Sequence, residues 1–206
     1  MSPQIALIDY RAGNLTSVRK ALAAVGAEVW MPDAPSSLAS AHGIIVPGVG
    51  HFTATSALDA EWIAAILARV GEGRPLLGIC LGLQWLFEGS DESPELRGLG
   101  LLPGTCRRLR GQRDGAEVLK VPHVGWNSLE LVRTSSILEG VTDSAQVYFT
   151  HSYTAPITPD TVAATTHGER FASVVQRGQV AGVQFHPEKS GEVGLQVLRN
   201  FLKMVG

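Results

Sequence analysis

The sequence predicts an α/β fold: a single domain over residues 1–206, with a mainly parallel central sheet flanked by helices and antiparallel strands added in its second half. Three observations predict it. Short apolar runs alternate with helix-period segments through the first half, the order of strand–helix–strand units. Those runs are solidly apolar rather than alternating, as strands covered on both faces must be. Beyond about Gly100 the runs become β-branched, with turn residues between them.

Each element follows from local chemistry. Residues 5–8 read as a strand that ends at Asp9. Asn14 caps a helix over 15–25, with Val18, Leu22 and Val25 on one face and Gly26 as its stop. Residues 28–31 form a second strand, cut by Pro32, and 43–46 a third that runs into Pro47-Gly48-Val49-Gly50. A helix over 56–70 carries Leu58, Trp62, Ala65, Ile66 and Arg69 on a half-buried face, and Gly71, Gly73 and Pro75 break it. Residues 76–79 form a fourth strand, followed by a helical stretch over 81–87. In the second half, 117–121, 147–150, 161–166, 172–176 and 180–185 read as strands in hairpins. Ser190 then caps a last helix through Met204, with Val193, Val197, Leu198, Phe201 and Leu202 facing inward.

Composition narrows the function. Apolar residues make up 45% of the 206 and charged residues 17%, a globular balance too poor in charge for a disordered chain. A formal charge of −2 lacks the basic footprint of a nucleic-acid binder. The opening residues have no basic segment before an apolar run, so no signal peptide is expected. The apolar stretch over 76–87 is interrupted by Gly78, Gly82 and Gln84 and is too short for a membrane span. Two cysteines, Cys80 and Cys106, fit a cytoplasmic thiol-bearing enzyme better than a disulfide scaffold. No phosphate-binding loop, C-x-x-C or H-E-x-x-H is present, so neither a metal nor a cofactor is expected.

The sharpest motif is Gly78-Ile79-Cys80-Leu81-Gly82, set between a strand and a helix. It has the spacing of a nucleophile elbow, in which small neighbours let backbone approach a residue held on a tight turn. The helix start turns its positive end toward the sulfur. Taken alone, Cys80 also fits an ordinary buried core cysteine. Of the six histidines, only His186 directly follows an apolar strand and has a carboxylate, Glu188, two residues on. Alone, His186-Pro187-Glu188 also fits a strand-to-helix turn. Together with the elbow it supplies a nucleophile, a base and a group to orient the base. In a parallel sheet the carboxyl ends of neighbouring strands converge on one crevice, which would bring Cys80 and His186 together.

GICLGLQ, GVQFHPEKS, PGVG, PHVGWN and the opening IDYxxGN resemble the glutamine amidotransferase subunits of imidazole glycerol phosphate synthase, within the class I (triad) amidotransferases. The likeness runs from Ile8 to the C-terminus. It implies that Cys80 attacks the side-chain amide of L-glutamine and that His186, oriented by Glu188, protonates the departing ammonia. It implies an oxyanion hole from the backbone N–H groups of Leu81 and Val49, the latter on a strand that must flip. It also implies that Gly50, Gln84, Ser152 and Tyr153 hold the amino acid end of the substrate. Asn14, Trp126, Tyr148 and Lys189 would face a separate cyclase subunit in a heterodimer. Within these 206 residues no synthase domain is expected beside the amidotransferase domain, so a separate partner is expected. Each position has a plainer alternative: a turn at 47–50, an exposed helix face for Gln84, the core for Trp126 and Tyr148. Arg11 and His51 depart from the family pattern, where a glycine and a small residue are expected. Cys106 reads as structural, and His123 and His151 carry no catalytic assignment.

Overall fold

Strand β1 (Gln4–Leu7) pairs in parallel with β2 (Glu28–Trp30) on one side and β3 (Gly43–Gly48) on the other, and β3 pairs in parallel with β4 (Leu76–Cys80). The computed structural model describes residues 4–111 and 119–206. Helix α1 (Leu15–Ala24) connects β1 to β2, α2 (Ala60–Gly71) connects β3 to β4, and α3 (Leu81–Trp85) leaves β4 directly. Then come β5 (Gly89–Ser90), β6 (Thr105–Arg108), β7 (His123–Ser128), β8 (Glu130–Leu131) and β9 (Gln146–His151). Strands β10 (Tyr153–Thr154), β11 (Thr161–His167), β12 (Glu169–Arg177) and β13 (Val180–Val183) precede the last helix, α4 (Gly191–Val205).

The central sheet has eight strands in the order β2-β1-β3-β4-β13-β12-β11-β8. Its first five are mutually parallel, and β12, β11 and β8 extend it antiparallel. Successive side chains of β1 go to opposite faces: Ile5 and Leu7 join a core with α1 and α4, while Ala6 packs in a second core with Ile66 of α2 and Leu83 of α3. That two-sided burial explains the apolar runs, since each fully buried Ile or Leu contributes roughly 1.5–3 kcal/mol. The carboxyl ends of β3, β4 and β13 lie side by side, and the chemistry collects there.

Several expectations shift. The helix expected over 56–70 starts at Ala60, because Asp59 accepts from Glu61 and Trp62 N–H and caps it; residues 52–57 form a tighter 3-10 turn instead. Ser190 precedes α4 without capping it; its hydroxyl donates to His186 O at 2.7 Å and accepts from Tyr148 N–H at 3.0 Å. The strand expected over 180–185 ends at Val183, and it is parallel to β4 while antiparallel to β12. Of 117–121, residues 117–118 lie outside the described residues and 119–121 form no strand. Not all of the second half joins the main sheet: β7 and β9 make a separate antiparallel ribbon, and β5, β6 and β10 a small sheet.

Candidate active site

Cys80 closes β4 and Leu81 opens α3, with no loop between them. The turn puts Cys80 at φ 54°, ψ −106°, a conformation that residues with side chains rarely adopt outside functional sites. Two glycines permit it. A Cβ on Gly82 would stand 1.8 Å from Val46 O, and one on Gly78 would stand 2.6 Å from the Gly82 carbonyl. The N–H of Leu81, in the first turn of α3, has no intrahelical acceptor and adjoins the sulfur.

His186 follows β13 at the neighbouring strand end, and its N–H donates to Tyr148 O at 2.9 Å. Its Nδ1 lies 2.9 Å from Glu188 Oε1, with both side chains only 3% exposed. A carboxylate accepts there, so the ring proton sits on Nδ1 and leaves Nε2 as the reactive nitrogen. Nε2 makes no well-formed hydrogen bond among the described residues. Burial pulls the imidazole pKa down, but the facing Cys80 and the Glu188 carboxylate more than offset this and hold it at about 9. The site therefore favours an imidazolium beside the nucleophile.

A cavity of about 200 Å³ opens over Cys80 and Leu81. Gly50, Gln84, Ser152 and Tyr153, all expected to hold substrate, are on its wall. Gln84 is buried rather than on an exposed face; its Nε2 donates to Tyr153 O at 2.9 Å and to Gln184 Oε1 at 3.3 Å. Val49 lies just past the end of β3, 38% exposed and off the cavity wall. Four residues escaped the sequence reading. Glu92 lines the cavity and accepts from Phe52 N–H at 2.7 Å; it stands in a polar loop with no motif. Gln184, fully buried two residues before His186, donates to Cys80 Sγ at 3.6 Å. Thr150 brings its carbonyl within 3.9 Å of the same sulfur. Tyr10 buries a hydroxyl against Gly48 that has no partner among the described residues, and burial together with nearby Cys80 pushes its pKa up.

Three of the four residues expected at a partner interface form one patch. Trp126 is 56% exposed and meets Tyr148 edge-on at 6.1 Å, and Lys189 Nζ sits 5.6 Å over the Tyr148 ring. Exposure excludes the core alternative for Trp126. Asn14 is exposed at the start of α1, where it accepts from Ser17 N–H as the sequence predicts. Arg11 adopts φ 62°, which explains the glycine expected there; Asp9 accepts its N–H at 2.9 Å. His51 caps the turn over 52–57 by accepting from Thr53 N–H. Cys106 is fully buried, and burial, with Asp91 nearby, pushes its thiol pKa up, as suits a structural role. Among the described residues no His, Cys, Asp and Glu cluster could hold a metal, and no helix is long and apolar enough to cross a membrane.

Residues 6–205 match the family described as glutamine amidotransferase class-I. The chain is 45% identical over 205 residues to "Imidazole glycerol phosphate synthase subunit HisH" of Moorella thermoacetica, covering 98% of this chain and 95% of that one. It is 44% identical to "Imidazole glycerol phosphate synthase hisHF, chloroplastic" of Arabidopsis thaliana, matching 96% of this chain but 34% of that protein. Among solved structures, "Structure of PurLQS from Thermotoga maritima" superposes over the full length of both chains, with a TM-score of 0.76 at 19% identity, a likeness of fold.

Proposed function

The chain belongs to the class-I glutamine amidotransferases and, within them, to the HisH subunits of imidazole glycerol phosphate synthase, and from that premise we propose how its residues carry the reaction. It is the glutaminase subunit of that synthase, hydrolysing glutamine to glutamate and ammonia for histidine biosynthesis. The single observation that carries the mechanism is the buried His186–Glu188 pair beside a cysteine held at positive φ on the wall of a cavity.

Cys80 Sγ, as thiolate, attacks Cδ of the glutamine side chain, and the carbonyl π electrons move onto oxygen. The N–H groups of Leu81 and Val49 stabilise that oxyanion, Val49 once its peptide turns inward. One such donor is worth about a hundred- to a thousand-fold in rate, so a strand whose Val49 N–H points away from the site would keep the free subunit slow. Collapse of the intermediate breaks the C–N bond while imidazolium His186 delivers its Nε2 proton to the leaving nitrogen, releasing ammonia and leaving a γ-glutamyl thioester. His186, now neutral, takes a proton from water as it attacks; glutamate leaves and Cys80 is restored. Glu188 holds the tautomer throughout.

Gln84 supports a specific substrate pose. Both of its N–H bonds point to Tyr153 O and Gln184 Oε1, so Oε1 remains as an acceptor for the substrate's α-ammonium, with the Glu92 carboxylate as counter-charge. Ser152, Tyr153 and Gly50 supply polar backbone for its α-carboxylate. The Trp126–Tyr148–Lys189 patch, with Asn14, is the surface we assign to a separate cyclase subunit in a cytoplasmic heterodimer, which takes up the ammonia.

The test is glutamate release by the purified chain, alone and with the cyclase subunit and its nucleotide ligand, with Cys80→Ala as blank. Stimulation that vanishes in Cys80→Ala is expected. Cys80-dependent release that ignores the cyclase would move the chain to another synthase, and no release under any condition would overturn the triad.

A further inference from the structure

Three histidines cluster beside the cavity, His151 on its wall, His123 behind it on the same ribbon and His167 at the end of β11, and the triad uses none of them. His123 and His151 are buried, facing each other across β7 and β9, and His123 stacks on His167 with centroids 4.1 Å apart. Their hydrogen bonds can be read in only one direction. Tyr153 O can only accept, so in its 3.0 Å contact His151 Nδ1 bears the proton. In the neutral ring Nε2 then carries a lone pair, so at 3.1 Å it accepts from His123 Nδ1. His123 Nε2 is in turn an acceptor, and Asn127 Nδ2 donates to it at 3.3 Å. Asn127 cannot turn around: its Nδ2 also donates to Thr166 O at 3.0 Å, and its Oδ1 accepts from Ser128 N–H at 2.8 Å.

The neutral form that this order requires is the one the surroundings enforce. Burial, with His167 adjacent, lowers His123 to about 4; burial, with His123 adjacent, lowers His151 to about 3. The inner end is the Tyr153 carbonyl on the cavity wall, which also accepts from Gln84. Gln84 continues through Gln184 to the Cys80 sulfur. The outer end, Asn127, adjoins exposed Trp126 on the same strand.

We infer that Asn127, His123 and His151 are positioning residues for the glutaminase reaction: a one-way hydrogen-bond chain that fixes the Tyr153 carbonyl and, through it, the Gln84 amide that receives substrate. This rests on the glutaminase reading above and deepens it. Aromatic packing alone would tolerate an apolar ring or chain at these positions. A directional relay would not, because a carbonyl freed from one of its two donors lets the Ser152–Tyr153 wall shift. A movement of β7 at its exposed face would reach the glutamine site by the same route.

The experiment compares His151→Leu with His151→Asn in the complex with the cyclase subunit. The Asn amide can stand in for the Nδ1 donor, whereas Leu cannot. His151→Leu should raise KM for glutamine about tenfold, the worth of one neutral hydrogen bond, with kcat changed less. His151→Asn should restore most of it. Asn127→Leu, at the half-exposed outer end, should move KM the same way by a smaller factor and keeps the test open if the buried variants fold poorly. In the wild type, nitrogen-15 NMR at pH 7 should show both rings neutral with the proton on Nδ1. An Nε2–H tautomer in either ring, an unchanged KM in both Leu variants, or equal losses in His151→Leu and His151→Asn would overturn the relay. An inactive wild type with both tautomers as stated would instead overturn the glutaminase reading, and this role with it.

Discussion

Gly82→Ala tests the geometry on which the nucleophile depends. A Cβ there would stand 1.8 Å from Val46 O and 2.8 Å from Val46 C, and both are backbone, so no side chain can swing aside. Helix α3 and strand β3 would have to separate by more than about 1 Å, which places the cost at the upper end of overpacking, about 3 kcal/mol. For a domain of this size that corresponds to a fall in Tm of about 10 °C. The damage also falls where chemistry happens, because Val46 lies in the strand that leads through Gly48 to Val49. Glutaminase activity in the complex should drop at least tenfold in the protein that remains folded. Gly71→Ala is the internal control. It ends α2, no atom of the described residues beyond its chain neighbours and its own helix backbone lies within 4 Å of its added Cβ, and a helical Gly→Ala change gains roughly 0.5–1 kcal/mol. Thermal and urea unfolding of both variants, with glutamate release alongside, gives the answer. A Gly82→Ala protein as stable and as active as Gly71→Ala would refute the reading that glycine is there for close approach.

Two further predictions bear on the titrating groups. Glu188→Gln keeps the shape but lets an amide donate to His186 Nδ1, favouring the wrong tautomer; kcat should fall by about 10²–10⁴ with KM little changed, since Glu188 is off the cavity wall. The His186 titration should move down from about 9 by NMR, and a kcat within twofold of wild type would remove Glu188 from the mechanism. Stability should fall on both sides of neutrality. His123 and His151 are lowered in the folded state, to about 4 and about 3, so only the unfolded chain gains their protons just below pH 6.5. Each then costs roughly 2 kcal/mol of stability between pH 7 and pH 5. His186 is raised, so its contribution is whole below pH 6.5 and is lost as pH rises through about 9. Urea midpoints that stay flat from pH 7 to 5 would contradict the buried neutral pair.

The class of fold, the elbow and the His-Pro-Glu turn were legible because each is written in consecutive residues. Apolar runs such as residues 76–79 need only local chemistry to read as covered strands, and Gly78 and Gly82 flank Cys80 at a spacing that a tight turn imposes on any chain. Boundaries were less legible where two local signals competed. Asp59 captured the helix start from the apolar pattern that begins at Leu58, and Ser190 gave up its cap to bridge β9 and the His186 carbonyl. The strand at 180–183 was visible, but not its direction, which depends on lying between β4 and β12.

What the tertiary structure alone decided is who meets whom. Gln184 touches the sulfur of a residue 104 positions earlier, and His151 accepts from a histidine 28 positions away. Glu92 reaches the cavity from a loop without a motif, and Lys189 covers a tyrosine that stands beside Trp126. No local period encodes such pairs. They exist because burial on both faces fixes the order of strands β3, β4 and β13 and presses a separate ribbon against their carboxyl ends. There, polar groups cut off from water must find partners in whatever chain the packing has brought alongside.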